Sequence, residues 1–208
     1  MTNTSYYKNY RKEMMLLLPE QYSKVLEVGC GEGNFRINLS QENEYWGVEP
    51  IEASARKASK KLDKVLIGTF NEMFDQIPDD YFDLVICNDV IEHMTDHEEF
   101  FQSIKKKIKK EGCLVASIPN VRYILNLIEL IVKKDWEYKD AGILDRTHLR
   151  FFTEKSLKRT IIDSGFEIDQ FKGINIYRSG GVKRYFFNVV FMLLGQDARC
   201  MQFGIRIK

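Results

Sequence analysis

Apolar residues in the first part of the chain fall into short blocks, with segments of helical spacing between them. Lys24–Gly29 (KVLEVG) predicts a strand that ends in glycine, and Asn34–Gln41 predicts a helix. Tyr45–Glu49, Val65–Gly68, Phe82–Cys87 (FDLVIC) and Cys113–Ile118 (CLVASI) predict four further strands. Ile51–Leu62, rich in Ala and Lys, predicts a helix, as does His97–Lys109, which carries Phe100, Phe101, Ile104 and Ile108 on one face. Apolar strands alternating with helices indicate a parallel sheet covered on both faces.

After Pro119 the rhythm changes. Val121, Ile124, Leu125, Ile128, Ile131 and Val132 follow helical spacing, and a polar connection over Lys133–Arg146 comes next. The segment 120–150 is thus expected to be an insert near the acceptor pocket. Thr153 suits a helix N-cap, with Phe152 and Leu157 as a hydrophobic staple. That helix runs to Ser164, and Gly165 suits its end. Phe166–Tyr177 reads as a strand, Val182–Leu194 as a helix and Cys200–Ile207 as a last strand. The expected fold is a single α/β domain over residues 1–208, with a seven-stranded, mostly parallel sheet and helices on both faces. The last two strands form an antiparallel addition at one edge, and residues 1–22 form an N-terminal helical cap.

Composition narrows the classes of function. A chain of 208 residues accommodates one domain with a sizeable core. Its 31 Lys+Arg and 30 Asp+Glu leave a net charge of +1, so no basic field implies nucleic-acid binding, and no DNA partner is expected. The run Lys105, Lys106, Lys107, Lys109, Lys110 reads as a solvated helix face whose cations suit a helix C-terminus. Cys30, Cys87, Cys113 and Cys200 are scattered without a C-x-x-C pair, which argues against a disulfide framework and for a reducing, cytoplasmic location. The apolar run Met14–Leu18 is short for a leader core and stops at Pro19. No stretch approaches 18 uninterrupted apolar residues. Val182–Leu194 is apolar almost all round and is expected to pack on the sheet or to form a homodimer. A membrane-surface role is the alternative, because Lys183 and Arg184 begin the helix.

The chemistry concentrates after the first strand, in Glu27-Val28-Gly29-Cys30-Gly31-Glu32-Gly33. Residues without Cβ let backbone approach a ligand closely. Glu49 ends the second strand, where a carboxylate can accept both hydroxyls of a ribose; ligands of open α/β sheets lie beyond these strand ends. A tight structural turn is the plainer alternative. A dinucleotide fold prefers G-x-G-x-x-G, but here the third glycine comes one residue early and Asn34 takes its place, which disfavours nicotinamide binding. The acid Glu27 suits a ligand with a positive charge or an amino group.

Glu27–Gly33 resembles motif I (E/D-x-G-x-G-x-G) of the class I S-adenosylmethionine-dependent methyltransferases. FDLVICNDVIEHM is similar to the family's fourth strand and following loop, and GCLVASIPN to its fifth strand and proline turn. The resemblance spans nearly the whole chain. It implies a Rossmann-like fold, S-adenosylmethionine as cofactor and S-adenosylhomocysteine as product. It also implies that Glu27, Gly29 and Gly31 contact the methionine end, Glu49 the ribose, and that Asn88 lies near the methionine moiety. The cofactor set so implied is Glu27, Gly29, Cys30, Gly31, Gly33, Glu49, Pro50, Thr69, Phe70, Asn88 and Asp89. Relatives often carry an acid after the third strand. This chain has Gly68-Thr69-Phe70-Asn71, which leaves Thr69 as a hydrogen-bonding group and Phe70 as packing for the adenine face.

A hydroxyl acceptor needs help in losing its proton. The candidates are Asp89, Glu92, His93 and His148; the first three share i, i+3, i+4 spacing, so one helical turn places them on one side. His93 and His148 are the expected catalytic pair. The alternatives are a buried His93 bonded to backbone and a His148 in structural contact with the insert. The D-x-x-E-H pattern with a later histidine resembles, broadly, small-molecule and sugar methyltransferases in which E-H, P-N and T-H-L-R-F-F-T recur. More narrowly it resembles the metal-dependent 2′-O-methyltransferases of small-RNA 3′ ends, which implies Asp89, Glu92, His93 and His148 as ligands of Mg²⁺, Mn²⁺ or Zn²⁺. Asp89 stands in place of that family's first Glu, and Phe152 in place of its Trp. Neither D/N/S-P-P-Y/F/W nor a P-C pair occurs. O-methylation of a small molecule (a sugar, lipid-linked or quinone-like hydroxyl) is therefore expected, with N- and C-methylation open. The alternatives are metal-assisted methylation of an RNA end and a non-catalytic nucleoside-binding module.

Overall fold

The strands β1 (Lys24–Val28), β2 (Glu44–Glu49), β3 (Lys64–Ile67), β4 (Phe82–Asn88), β5 (Ile108–Pro119), β6 (Ile168–Ile176) and β7 (Cys200–Ile207) form one sheet in the order β3-β2-β1-β4-β5-β7-β6. The structure, a computed structural model, describes residues 10–208, apart from the side chains of Val182 and Lys183. The start of the expected N-terminal cap lies outside the described residues. The first five strands are parallel to their neighbours. β7 runs antiparallel to both β5 and β6, so β6 shares the direction of β5. The expected antiparallel addition is thus one reversed strand inserted inside the sheet, with β6 at the edge.

The helices are α1 (Glu52–Ala58), α2 (Phe70–Met73), α3 (His97–Lys105), α4 (Ile124–Ile131), α5 (Glu154–Asp163) and α6 (Gly181–Leu194). One sheet face packs Leu26, Val85, Leu114 and Ala116 against Phe100, Phe101 and Ile104 of α3 and Leu157 and Ile161 of α5. The other packs Val25, Leu84, Ile86 and Val115 against Met14, Leu17, Phe35, Leu39, Ala58 and Leu62. Both faces being covered explains why the central strands read as unbroken apolar runs. Thr153 caps α5, its side chain accepting the Ser156 N–H, and Phe152 and Leu157 are both buried beside that cap. No helix among the described residues is long and apolar enough to cross a membrane.

Three local expectations are corrected. The segment expected as a helix over Asn34–Gln41 is a 3-10 turn over Asn34–Asn38 that starts from a left-handed Gly33. The helix begun at His97 stops at Lys105, and β5 starts at Ile108, which pairs with Phe82. The lysine run is therefore split between helix and strand. Lys107 is buried, and its Nζ donates to the Ile77 carbonyl at 2.8 Å and to Asp79 at 2.6 Å. It is not part of a solvated face. In α6, Phe191 is buried against Ile124 of α4, while Tyr185, Phe186, Met192 and Leu193 are exposed.

Candidate functional site

The carboxyl ends of β1 to β5 share one edge of the sheet, where open α/β folds bind ligands. A cleft of about 1360 Å³ runs from Glu49, Gly68 and Phe70 to His93 and Thr147. A second, of about 420 Å³, is lined by Glu27, Cys30, Glu92, Ile143, His148 and Gln202. The two meet at Gly29, Gly31, Asn88, Asp89 and Asp145.

The turn after β1 is held by β2. Val48 O accepts from the Gly29 N–H at 2.8 Å and the Cys30 N–H at 3.1 Å. Gly29 has φ +71°, and a Cβ on it would stand 2.4 Å from Val90 Cγ2. Gly31 has φ +54°, yet a Cβ there would meet nothing within 4 Å, because this backbone faces the cleft. The buried Glu49 accepts the Gly31 N–H on Oε2 at 2.8 Å and the Ile51 N–H on Oε1 at 3.0 Å. A carboxylate has about four lone-pair sites, so two remain for a ligand. Glu27 is buried and accepts the Tyr45 hydroxyl at 2.8 Å. Burial pushes its carboxyl up to about 8; the Tyr45 bond opposes this, and the charge of Glu49 adds to it.

The remaining cofactor candidates divide. Pro50, Thr69 and Phe70 line the larger cleft and Cys30 the smaller, whereas Gly33 lines neither and packs against Ala58 and Leu62. The Thr69 hydroxyl caps α2 by accepting the Glu72 N–H at 3.4 Å, and it donates to the Glu72 carboxylate at 2.8 Å. Phe70 is buried against Phe74 and Phe100, with ring centroids 5.8 and 5.1 Å away.

At the end of β4, Asn88 lines both clefts, and neither its side-chain nitrogen nor its oxygen has a partner among the described residues. Asp89 follows with a left-handed φ of +55°, its N–H donating to Ser117 O at 3.1 Å. Its carboxylate accepts from Ser117 Oγ at 2.9 Å and Gln202 Nε2 at 2.5 Å, and it pairs with Arg11. Asp89 therefore does not share one helical turn with Glu92 and His93, because the turn there is a short 3-10 piece, Ile91–His93. The four-residue metal set loses Asp89. Among the described residues Glu92, His93 and His148 do converge, with one ligand atom of each within 4.8 Å of the others.

Backbone bonds bring these three together from opposite ends of the sequence. The Glu92 carbonyl accepts the N–H groups of Leu149 (2.8 Å) and Arg150 (3.0 Å), which fastens the His148 segment to the 3-10 turn. His148 Nδ1 lies 2.9 Å from Ile143 O, and His93 Nδ1 3.1 Å from Thr147 O. A carbonyl only accepts, so both Nδ1 atoms carry hydrogen and both Nε2 atoms keep a lone pair. His148 Nε2 is 3.9 Å from Glu92 Oε1, and the imidazole centroids are 4.7 Å apart. Glu92 is fully buried, and neither carboxylate oxygen has a partner among the described residues. Burial raises its carboxyl to about 8, with Arg11 opposing and Asp145 reinforcing. Burial also lowers the His148 imidazole, and a charge on His93 would lower it further. Each ring is bonded to backbone through Nδ1; His93, half-buried rather than buried, lines the larger cleft and His148 the smaller.

A family model described as a methyltransferase domain matches residues 4–170. The chain belongs to that methyltransferase family. A ubiquinone biosynthesis O-methyltransferase of Rickettsia bellii is 24% identical over a 160-residue alignment that covers 73% of this chain and 64% of the relative. One from Rickettsia akari is 26% identical over 157 residues, covering 73% and 61%. The chain thus spans less than two thirds of the length of these curated relatives. Among solved structures, a SAM-dependent methyltransferase from Thermotoga maritima, described as a possible histamine N-methyltransferase, superposes with TM-score 0.66. It is 22% identical and covers 97% of this chain and 90% of its own. One from Archaeoglobus fulgidus gives 0.63 at 22% identity, covering 89% and 86%. These likenesses bear out the Rossmann-like sheet.

In this methyltransferase-family chain, sequence reasoning missed Arg11, Ser117 and Gln202 around Asp89, and the Ile143 and Thr147 carbonyls behind the histidines. Thr147 adjoins His148 and lay within reach of the motif; Arg11 and Gln202 carry no local signal.

Proposed function

We propose that the chain is an S-adenosylmethionine-dependent methyltransferase that methylates a hydroxyl of a small molecule. The amide of Asn88, buried where the two clefts meet and without a hydrogen-bond partner among the described residues, carries the reading: a buried polar group left unbonded is costly and calls for a ligand. The surrounding residues fit this donor. Glu49 keeps two lone-pair sites for ribose hydroxyls, the open backbone at Gly31 admits close approach, and Glu27 suits the ammonium of the methionine end. Bound there, S-adenosylmethionine supplies an electrophilic methyl group and leaves as S-adenosylhomocysteine. Glu92, His93 and His148, at the seam of the clefts, are the groups that meet the acceptor hydroxyl and ease the loss of its proton. Apolar Pro119, Ile143 and Met201 beside polar Asn175 and Gln202 suit a compact ring with hydroxyl substituents. The ubiquinone-related names of the relatives support a quinone-like phenol.

Calorimetry with S-adenosylmethionine and S-adenosylhomocysteine, followed by a methyl-release screen over phenolic and sugar acceptors, tests this. His93→Ala and His148→Ala should each lower turnover by about 100-fold or more while donor affinity stays within about threefold. Absence of donor binding to the wild-type chain would sink the proposal. Retained turnover in both variants would move the acceptor chemistry elsewhere.

A further inference from the structure

We propose that Glu92, His93 and His148 form a binding site for one divalent transition-metal ion of the Zn²⁺ class. The inference rests on the reading above only for the role of the ion, not for its binding. Two observations carry it independently. The first is convergence: a carboxylate oxygen and two imidazole nitrogens lie within 4.8 Å of one another. The second is that the Glu92 carboxylate is fully buried and neither of its oxygens has a hydrogen-bond partner among the described residues. A buried carboxyl group without a hydrogen-bond partner is costly, and a cation bound to it removes that cost.

The histidines are oriented as metal ligands are. Each donates Nδ1–H to a backbone carbonyl, Ile143 for His148 and Thr147 for His93, which fixes the tautomer and frees Nε2. Such outer bonds orient the ring and raise the basicity of the ligating nitrogen. Thr147 is itself held, its hydroxyl donating to Asp145 at 2.6 Å. Donors on one ion at 2.0–2.2 Å stand about 3–4 Å apart, so closing this set asks for side-chain shifts of about 1 Å. Two imidazoles and a carboxylate favour Zn²⁺, Mn²⁺ or Fe²⁺ over Mg²⁺. Three protein ligands leave a position open, as catalytic sites do. His93 lines the larger cleft and the other two the smaller, so that position faces their junction.

An ion there would act as a Lewis acid on the acceptor. The hydroxyl loses its proton to water, and an oxygen lone pair forms the new O–CH₃ bond. The S–CH₃ bond breaks with its electron pair left on sulfur, so a sulfonium becomes a thioether. No oxidant or reductant takes part.

The test is direct titration of metal-free protein with Zn²⁺ against a chromophoric chelator, with elemental analysis and the visible spectrum of the Co²⁺ form. One ion per chain is expected, with a tetrahedral or five-coordinate Co²⁺ signature. Glu92→Gln and His148→Ala should each weaken Zn²⁺ at least about 10–100-fold. Asp89→Asn, outside the set, should leave Zn²⁺ affinity within about threefold. Wild-type protein that holds no ion, or Zn²⁺ affinity unchanged in both ligand variants, overturns the site. Donor calorimetry on the same samples separates the two proposals. Donor binding without metal binding removes only this one, and metal binding without donor binding removes only the methyl-transfer reading. If a variant fails to fold, Thr147→Gly, which keeps the carbonyl but loses the hydroxyl bonds to His93 and Asp145, should still show a weakened Zn²⁺ affinity.

Discussion

The backbone N–H of Gly31 donates to Glu49 Oε2 at 2.8 Å, so the end of the second strand holds the turn that follows the first. The same carboxylate takes the Ile51 N–H on its other oxygen. Glu49 thereby builds the cradle and faces the ligand. Hydrogen bonds to a charged group are worth about 1.5–3 kcal/mol. Glu49→Ala should lower unfolding free energy by about 2 kcal/mol in urea melts and donor affinity by more than about tenfold. Glu49→Gln, which keeps one oxygen, should fall between. An unaltered donor affinity in Glu49→Gln would show that the carboxylate is scaffold alone.

Gly29 and Gly31 should respond differently to alanine. Both sit at positive φ, which costs an L-residue about 1–2 kcal/mol. At Gly29 the new methyl also meets Val90, so stability should fall by about 2–4 kcal/mol, and Val90→Ala in the same chain should return part of it. At Gly31 the methyl points into open cleft, so stability should fall only by the about 1–2 kcal/mol of backbone strain while calorimetry shows weaker donor binding.

Glu27 makes stability and binding depend on pH in opposite senses. Its carboxyl is raised from 4.5 to about 8 in the fold. Between those values the unfolded chain has released the proton and the folded chain retains it, so the contribution of Glu27 to stability is greatest below about pH 4.5. It declines as pH rises to about 8, by up to about 1.4 kcal/mol per pH unit. A cationic donor favours the ionised form, so binding near pH 6.5 should release a proton and tighten as pH rises. Calorimetry in two buffers of different ionisation enthalpy reads that proton, and Glu27→Gln should abolish it. Buffer-independent heat in the wild type would contradict the placement of the ammonium beside Glu27.

Lys107 is a buried cation between the Ile77 carbonyl and Asp79, with its Nζ 3.6 Å from the Phe74 ring centroid. Lys107→Ala leaves a cavity and an unpaired carbonyl and should cost about 2–4 kcal/mol in chemical unfolding. Asp79→Ala, at the exposed end of the pair, should cost under about 1 kcal/mol.

The strands, α3 and α5 were legible because burial on both sheet faces, or on one helix stripe, writes a local period. Where the period is broken by charge, the reading slipped. Ile108-Lys109-Lys110-Glu111 looks like a frayed helix end, but Ile108 pairs with Phe82 and Lys109 reaches Asp83 at 2.7 Å. The glycine turn and Glu49 were legible because both lie at strand ends that the apolar blocks already marked. The surroundings of Asp89 were not. Arg11, Ser117 and Gln202 arrive from three distant elements, and pairing across such separations leaves no pattern in any short window. Spacing alone put Asp89 with Glu92 and His93; the 3-10 turn, tighter than an α-helix, parts them.

The place of β7 inside the sheet bears on how the chain is made. A polypeptide leaves the ribosome from its N-terminus, and β1 to β5 can associate as they emerge. β6 cannot join them, because among the described residues its only strand partner is β7, and that strand is synthesised afterwards. Until residue 207 has left the exit tunnel, β5 presents an open edge along Leu114–Pro119, the row later paired by β7. Nascent chains stalled before Cys200 should therefore lean on chaperones, and deleting the last eight strand residues would remove an interior member of the sheet.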